Sequence, residues 1–312
     1  MFKRKPKILI TGAAGMLGSD LSKVLSRSCD VYGAGDHKAS HLSIPYEVMD
    51  LTREKVVRRL IEEICPQWVF HTAAMTDVDG CETEKDRAIE VNFEMTKKVV
   101  DACTQRKAGV IFFSSDYIFD GTKEGPYLED DKSSPLNVYG ETKLLAENYI
   151  REHAERYLIF RVTWLFGVHG KSFPKAILKR ASCEKVIQVV SDQIGRPTFS
   201  WDVAEALGHL LTKNPGALKE HKREVYHIGN EGQASWYDLA RYLLLKAGLS
   251  GVEISPITSH ELNRVAKRPQ NSVLSLAKIR KDLGIQLRPW EEAACDFLSK
   301  YDMKSEVKSY HG

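Results

Sequence analysis

Short apolar runs rich in β-branched and aromatic residues alternate with longer amphipathic stretches through the first half of the chain. The runs at 7–12 (KILITG), 30–35 (DVYGAG), 67–74 (QWVFHTAA), 109–115 (GVIFFSS) and 157–163 (YLIFRVT) predict strands. Between them, periodic apolar positions predict helices over 16–27, 53–64, 84–106 and 137–153. The strand runs are nearly continuously apolar, which suits strands covered on both faces. This alternation implies an α/β fold, a doubly wound parallel sheet. After Trp164 the pattern loosens. Loops rich in Gly, Pro and Ser at 167–172, 191–200, 229–235 and 254–259 separate helices expected over 172–182, 201–212, 235–247 and 289–301, with strands near 186–190 and 223–228. The chain thus divides into a first domain at 1–165 and a smaller region at 166–312, some of whose elements return to the first. The polar tail after Asp302 is expected to fray.

Composition narrows the function classes. A chain of 312 residues, 43% hydrophobic and 28% charged, is an ordinary soluble globular protein with one large or two modest domains. A net charge of +3 gives no reason to expect nucleic acid or a membrane surface as partner. No run is long enough to span a bilayer, and the start lacks the long apolar segment of a signal peptide. The six cysteines are scattered without a C-x-x-C. That spacing predicts reduced thiols in a cytoplasmic protein, with no disulfide and no metal site.

The stretch ILITGAAGMLGSDL sets Gly12, Gly15 and Gly18 straight after a strand, with Met16 and Leu17 at the mouth of a helix. Free N–H groups and a positive dipole end make such a mouth a place for a pyrophosphate. Glycines let the backbone approach it. The pattern predicts a Rossmann-type dinucleotide site. Its three-and-three spacing resembles the T-G-x-x-G-x-x-G of short-chain dehydrogenases/reductases. By that resemblance Asp50 and Leu51, after what should be the third strand, hold the adenine, and Ala73, Ala74 and Thr76 in HTAAMT line the adenosine and ribose. Asn92 is placed on the cofactor side. A plain helix-start role for Asp50, with Thr52 as the cap, is the competing reading. At the second strand Gly35 occupies the tip and Asp36 follows, with His37 and Lys38 beyond. An acidic tip favours NAD and a basic one NADP; both signals are present, so the cofactor is NADPH or NADH.

Tyr139 and Lys143 lie four apart on the helix after FFSSDY. Residues at this spacing share a helix face, and Tyr242 and Lys246 form a second such pair, assigned to packing. Only the first pair follows a strand whose end, Ser114 and Ser115, opens on the ligand edge of the sheet. Carbonyl reduction needs a proton on oxygen. Tyr139 would supply it, Lys143 would lower the phenol's pKa, and Ser115 would donate to the carbonyl oxygen.

The run SSDYIFDGTKEGPYLEDDKSSPLNVYGETKLLAE, with RVTWLFG, SDQIGRPTFSWDVA and KRPQNSVLS, resembles the dTDP-4-dehydrorhamnose reductase family, of the extended short-chain branch. The likeness runs nearly the whole chain. It implies reduction of a nucleotide-linked 4-keto-6-deoxyhexose, most specifically dTDP-4-dehydro-L-rhamnose to dTDP-L-rhamnose. It also implies that 166–312 is mainly substrate-binding and that Lys143 holds a ribose hydroxyl. Substrate contacts carried over are Thr76, Val78, Asp116, Trp164, Gln193, Arg196, Pro197, Thr198, Arg268 and Asn271. The competing readings are a core aromatic for Trp164 and surface ion pairs for Arg196 and Arg268. The helices at 84–106 and 137–153 could pair two copies into a homodimer, as in many relatives.

Two other functions fit parts of the pattern. A sugar-nucleotide dehydratase would carry Asp-Glu after its hydroxyl residue, whereas Ser115 is followed by Asp116 and Tyr117. An epimerase is not distinguished by any residue. A regulatory subunit resembling the methionine adenosyltransferase β subunit would keep SSDY but lack Trp164 and the D-Q-x-G-x-P-T run, both present here.

Overall fold

The computed structural model describes residues 5–213 and 223–301, without the side chain of Lys213. The tail expected to fray lies outside the described residues. Among those residues seven strands form one parallel sheet: Lys7–Thr11 (β1), Asp30–Gly35 (β2), Tyr46–Val48 (β3), Trp68–His71 (β4), Gly109–Ser115 (β5), Tyr157–Val162 (β6) and Arg223–Ile228 (β7). Their order is β3-β2-β1-β4-β5-β6-β7, so the winding reverses between β1 and β4. Every pairing is parallel, which puts the ends of β1, β4, β5 and β6 on one edge. Ligands of such sheets sit beyond that edge at the reversal.

The helices are Met16–Leu25 (α1), Glu54–Ile64 (α2), Val78–Thr83 (α3), Lys85–Ile89 (α4), Met95–Gln105 (α5), Val138–His153 (α6), Phe173–Ala181 (α7), Ser200–Lys213 (α8), Trp236–Lys246 (α9), Ser259–Leu262 (α10), Ala277–Leu283 (α11) and Trp290–Lys300 (α12). One face of the sheet is covered by Leu21 and Leu25 of α1, Val203 and Leu207 of α8 and Ile279 of α11. The other is covered by Leu60 of α2, Val99 of α5 and Ile150 of α6. A third core, with Phe166, Phe199, Leu243 and Phe297, holds the C-terminal elements together. The apolar runs of the strands are thus buried on both sides, as their composition demands. None of the described helices is long and apolar enough to cross a membrane.

Two expectations fail in detail. The single helix expected over 84–106 is broken into α4, a turn of π-helix at Glu90–Glu94, and α5. The break serves Asn92, whose amide bonds the Met75 backbone; an extra residue per turn is a usual device where a side chain must be re-aimed. The loop expected at 254–259 is instead mostly strand: Glu253–Ile257 pairs in parallel with Val186–Val190. Pro256 disguised it, but a proline is tolerated in a two-stranded edge.

Helix α6 carries Tyr139 and Lys143, and its placement is tightly held. Asn137 caps it, accepting from the Gly140 N–H at 2.8 Å, while its amide donates to the Lys267 carbonyl at 2.7 Å. A Cβ on Gly140 would collide with the Tyr117 carbonyl, so only glycine lets the first turn sit against the end of β5. One turn beyond Lys143, Glu147 forms a buried two-point pair with Arg161 of β6, at 3.0 and 2.9 Å.

Candidate active site

The mouth between β1 and α1 fits an anionic cofactor. Gly12 has φ +68°, and a Cβ there would stand 2.6 Å from the Ala73 backbone nitrogen. A Cβ on Gly18 would strike the Gly12 carbonyl. Gly15 precedes α1 with no side-chain cap, so the first N–H groups, from Met16 onward, have no side-chain acceptor. Leu17 turns into the core. Ala73 packs against the second core, Ala74 is half-buried and Thr76 is exposed. The cradle is therefore closed to side chains and open to a phosphate.

The two acidic candidates differ. β2 ends at Gly35, and Asp36 projects with 81% of its side chain exposed, bonded to His37 at 2.7 Å. Asp50 is turned inward on its own loop: it accepts from the Thr52 N–H and hydroxyl at 3.0 and 2.6 Å and from Arg53 at 3.1 Å. These donors hold its carboxyl below the usual range. The helix cap falls on Arg53 rather than Thr52, and Leu51 is buried in the core. Geometry gives Asp50 a loop-closing role and supplies no independent sign of an adenine contact.

Under the mouth, His71 at the end of β4 bonds Thr11 and Thr96, at 2.7 and 2.9 Å. Burial, with the nearby Lys143 charge, pushes its pKa down to about 3. Asn92 is buried beside it, taking the Met75 N–H at 2.8 Å and donating to Thr142 at 3.1 Å. Asn92 thus ties the loop after β4 to α6.

Ser115, Tyr139 and Lys143 come together at the end of β5. Ser115 lies beside the Tyr139 phenol. Lys143 is buried, with its ammonium 4.1 Å from the centre of the Phe112 ring. Burial lowers its pKa to about 7, with Glu147 opposing the shift. The expected electrostatics are reversed at the phenol. Burial, helped by Asp116, Tyr117 and Cys81, raises the Tyr139 pKa, and only Ser115 pulls it down. Lys143 leans onto Phe112 rather than onto the phenol, so its charge does not offset burial here. Ser115 is also not a free donor: its hydroxyl donates to Asp116 at 2.9 Å and accepts from the Tyr117 N–H at 3.2 Å.

The substrate-side candidates divide. Trp164 adopts φ +47°, an uncommon conformation for an aromatic, and stacks on Trp236 with ring centres 3.5 Å apart. Gln193 accepts from the Trp236 indole at 3.2 Å. Arg196 is buried and donates to the carbonyls of Asn230, Gly232 and Leu274, at 3.0, 2.6 and 3.1 Å. With its guanidinium so engaged, it holds the C-terminal loops together, and neither a diphosphate contact nor a surface ion pair describes it. Pro197 and Thr198 are buried, and the Thr198 hydroxyl closes onto the Arg196 carbonyl at 3.1 Å. Asn271 donates to the carbonyls of Lys123 and Gly125, at 2.8 and 2.7 Å. Arg268 forms a two-point pair with Asp79, at 3.0 and 2.9 Å, and Arg264 joins it at 3.2 Å. Hydrogen bonds from this segment hold the Asp79 carboxyl down at about 2 against burial. Val78 starts α3 beside it. Asp116 is buried beneath Ser115, away from the surface.

Three residues of the site were not anticipated. Tyr117 is half-buried and stands edge-on to Tyr139 at 5.9 Å, near the Arg268 charge. Asp79 anchors the 264–268 segment. Trp236 backs Trp164. Tyr117 lies inside a motif already noted and Asp79 follows Val78, but neither spacing nor polarity marks which neighbour a side chain will meet. Among the described residues no group of three or more His, Cys, Asp or Glu could hold a metal.

Comparison with known proteins agrees with this geometry. The family described as RmlD substrate binding domain matches residues 6–303. The chain is 34% identical over 294 residues to the spore coat polysaccharide biosynthesis protein SpsK of Bacillus subtilis, covering 94% of this chain and 97% of that protein. It is 30% identical over 292 residues to the dTDP-4-dehydrorhamnose reductase of Escherichia coli, covering 91% and 94%. The crystal structure of dTDP-4-dehydrorhamnose reductase from Bacillus anthracis in complex with NADP superposes with a TM-score of 0.86, at 29% identity, over 95% of this chain and 99% of that one. With its glycine mouth, its helix-borne tyrosine and lysine and its paired C-terminal segments all in one frame, the chain belongs to the dTDP-4-dehydrorhamnose reductase family.

Proposed function

We propose that this protein reduces the 4-keto group of a nucleotide-linked 4-keto-6-deoxyhexose with NADPH or NADH, and specifically converts dTDP-4-dehydro-L-rhamnose to dTDP-L-rhamnose. The observation that carries this reading is the placement of Ser115 at the end of β5 with Tyr139 and Lys143, one turn apart, on the helix over the same strand edge where the glycine mouth opens.

The cofactor, when bound, supplies a hydride to the carbonyl carbon. The chain's part is to hold, orient and protonate. The amides of Met16 and Leu17 would hold the pyrophosphate, with Gly12, Gly15 and Gly18 letting the backbone approach it, Asp36 a ribose hydroxyl, and Ala73, Ala74 and Thr76 the adenosine side. Asn92 would keep that loop in register with α6. Tyr139 gives its proton to the carbonyl oxygen as negative charge develops there. Its raised pKa keeps the phenol protonated until an alkoxide, a far stronger base, is forming. Lys143 would hold a ribose hydroxyl and offset the phenolate left behind. With a pKa near 7, it is charged in part of the molecules at neutral pH and in most below it. Trp164, backed by Trp236, would pack on the sugar, and Val78 and Thr76 would border it. Gln193, Arg196, Pro197, Thr198, Arg268 and Asn271 support this pocket by fixing its walls.

The test is cofactor oxidation with dTDP-4-keto-6-deoxyhexose, coupled to identification of the sugar formed. Stoichiometric NADPH loss with a 4-hydroxy product supports the reading. Interconversion of keto sugars without net NADPH loss overturns it in favour of an epimerase. Absence of both, with a stable complex to another enzyme, overturns it in favour of a regulatory subunit.

A further inference from the structure

Two imidazoles stack beside the glycine mouth. His41, in the loop after β2, and His169, in the loop at 167–172, lie with ring centres 4.8 Å apart and planes 19° from parallel. His41 is exposed and His169 half-buried. Both are seated on the start of α1. The Ser19 hydroxyl donates to the Ala13 carbonyl at 3.3 Å, so its oxygen is left to accept from the His41 Nε2–H at 2.9 Å. The loop of His169 rests on Met16: a Cβ added to Gly170 would stand 3.6 Å from the Met16 nitrogen. Among the described residues no hydrogen bond engages the His41 Nδ1 or either nitrogen of His169.

The charges around the pair are of one sign. Lys23 lies one turn beyond Ser19 on α1, and Lys175 of α7 donates to the Val168 carbonyl at 3.2 Å, next to His169. Lys171 follows in the same loop, and Lys38 stands in the loop of His41. Across α1, α7 and these two loops the acids are Asp20 and Asp36. Asp20 takes the Ser200 hydroxyl at 2.6 Å, and Asp36 meets His37 at 2.7 Å. Among the described residues the histidines that meet a carboxylate are His37 and His227. Burial, with the His41, Lys175 and Lys23 charges, holds the His169 pKa below its usual value. Cations gathered without a counter-ion keep the imidazoles neutral, and they draw an anion to the free ring edges. We propose that His41 and His169 are cofactor-binding residues: on binding, the pair takes a proton from solvent and grips a phosphate group of the dinucleotide at the flank of the mouth. This rests on the dinucleotide site of the proposed function and not on which sugar is reduced.

Calorimetric titration of the whole protein with NADPH and with NADH tests it without turnover. Two non-phosphate buffers of different ionisation enthalpy read affinity and proton uptake together. A group whose pKa rises on binding makes binding stronger as pH falls. Between about pH 8 and 6.5 wild-type affinity for NADPH should rise about tenfold, with about one proton taken up near neutrality. His41→Gln and His169→Gln should each lose most of that gain and of the proton uptake, and stay within about threefold of wild type at pH 8. His260→Gln, on the exposed α10, should behave as wild type. Lys143 also titrates near 7, so the difference between wild type and the histidine variants is the reading, and it should persist in a Lys143→Met background. Loss of the gain for both cofactors assigns the grip to the pyrophosphate; loss for NADPH alone assigns it to the 2′-phosphate. A gain and proton uptake that both histidine variants retain overturn the proposal. So does an affinity lost equally at every pH with proton uptake unchanged, the mark of a stack that only holds the loops. A wild type that binds neither cofactor overturns the dinucleotide site and the proposal with it. Binding with proton uptake but no sugar reduction overturns the reductase reading alone.

Discussion

Two helices of this protein carry a tyrosine and a lysine four residues apart, and the two pairs have opposite fates. On α9 the Lys246 ammonium lies 5.4 Å from the centre of the Tyr242 ring. The Tyr242 phenol meets the Cys295 thiol at 3.4 Å, its ring stands edge-on to Trp290, and Lys246 is exposed. On α6 the pair is pulled apart. Tyr139 turns to Ser115, and Lys143 drops onto Phe112 of β5, out of water. Helical spacing made both pairs neighbours. What lies beneath each helix decided the rest: a packed C-terminal core in one case, the open edge of a parallel sheet in the other. The lesson is that a shared helix face is a precondition for chemistry and carries no information about whether chemistry occurs.

Substitutions can break or sharpen that contrast. The largest effect is expected from Tyr139→Phe, which removes the proton donor and should cost about 10³-fold in turnover. NADPH affinity, read by fluorescence titration, should stay within about threefold, since the helix and its lysine remain. Turnover within tenfold of wild type would mean that another group protonates the product. Lys143→Met comes next, with about a 10²-fold loss in turnover. Here stability moves the other way. The folded-state pKa of about 7 lies below the unfolded value, so the buried charge costs stability at every pH below 7. That cost fades as pH rises toward the unfolded pKa of about 10.4. Lys143→Met should therefore melt higher than wild type at pH 6, and by a shrinking margin above pH 7. A melting point lower than wild type at pH 6 would show that the ammonium is not strained by burial.

Gly12→Ala is expected to act on the mouth alone. It needs a positive φ and space that Ala73 occupies, so it should cost about 1–3 kcal/mol of stability and weaken NADPH binding at least tenfold. Intact cofactor affinity in a calorimetric titration would contradict the cradle. The smallest effect belongs to the second pair. Tyr242→Phe loses one hydroxyl–thiol contact, so turnover should change by less than about twofold and stability by about 1 kcal/mol or less. A collapse in activity comparable to Tyr139→Phe would exchange the roles assigned to the two helices.

Legibility from sequence followed physical scale. Elements longer than about two turns, or buried on both faces, leave a periodic trace, and β1, β5, β6, α1 and α6 fall close to where that trace puts them. The π-turn at Glu90–Glu94 leaves none, because inserting one residue's worth of bulge changes hydrogen bonding without changing composition. The strand at Glu253–Ile257 was hidden by Pro256, since its partner strand lies 67 positions away in register. Arg196 looked like an anion ligand because arginine so often is one. That it grips three carbonyls depends on loops distant in sequence, at Asn230, Gly232 and Leu274.

Residue order alone thus determined the doubly wound sheet, the glycine mouth and the presence of a phenol, an ammonium and a hydroxyl on one edge, because periodicity and chain direction are local properties. Only the folded chain decided how those groups are charged and which way their protons point. Burial and the partners beneath Ser115 and Lys143 come from β5, β6 and the C-terminal segment at once, and desolvation acts through space, with no memory of distance along the chain.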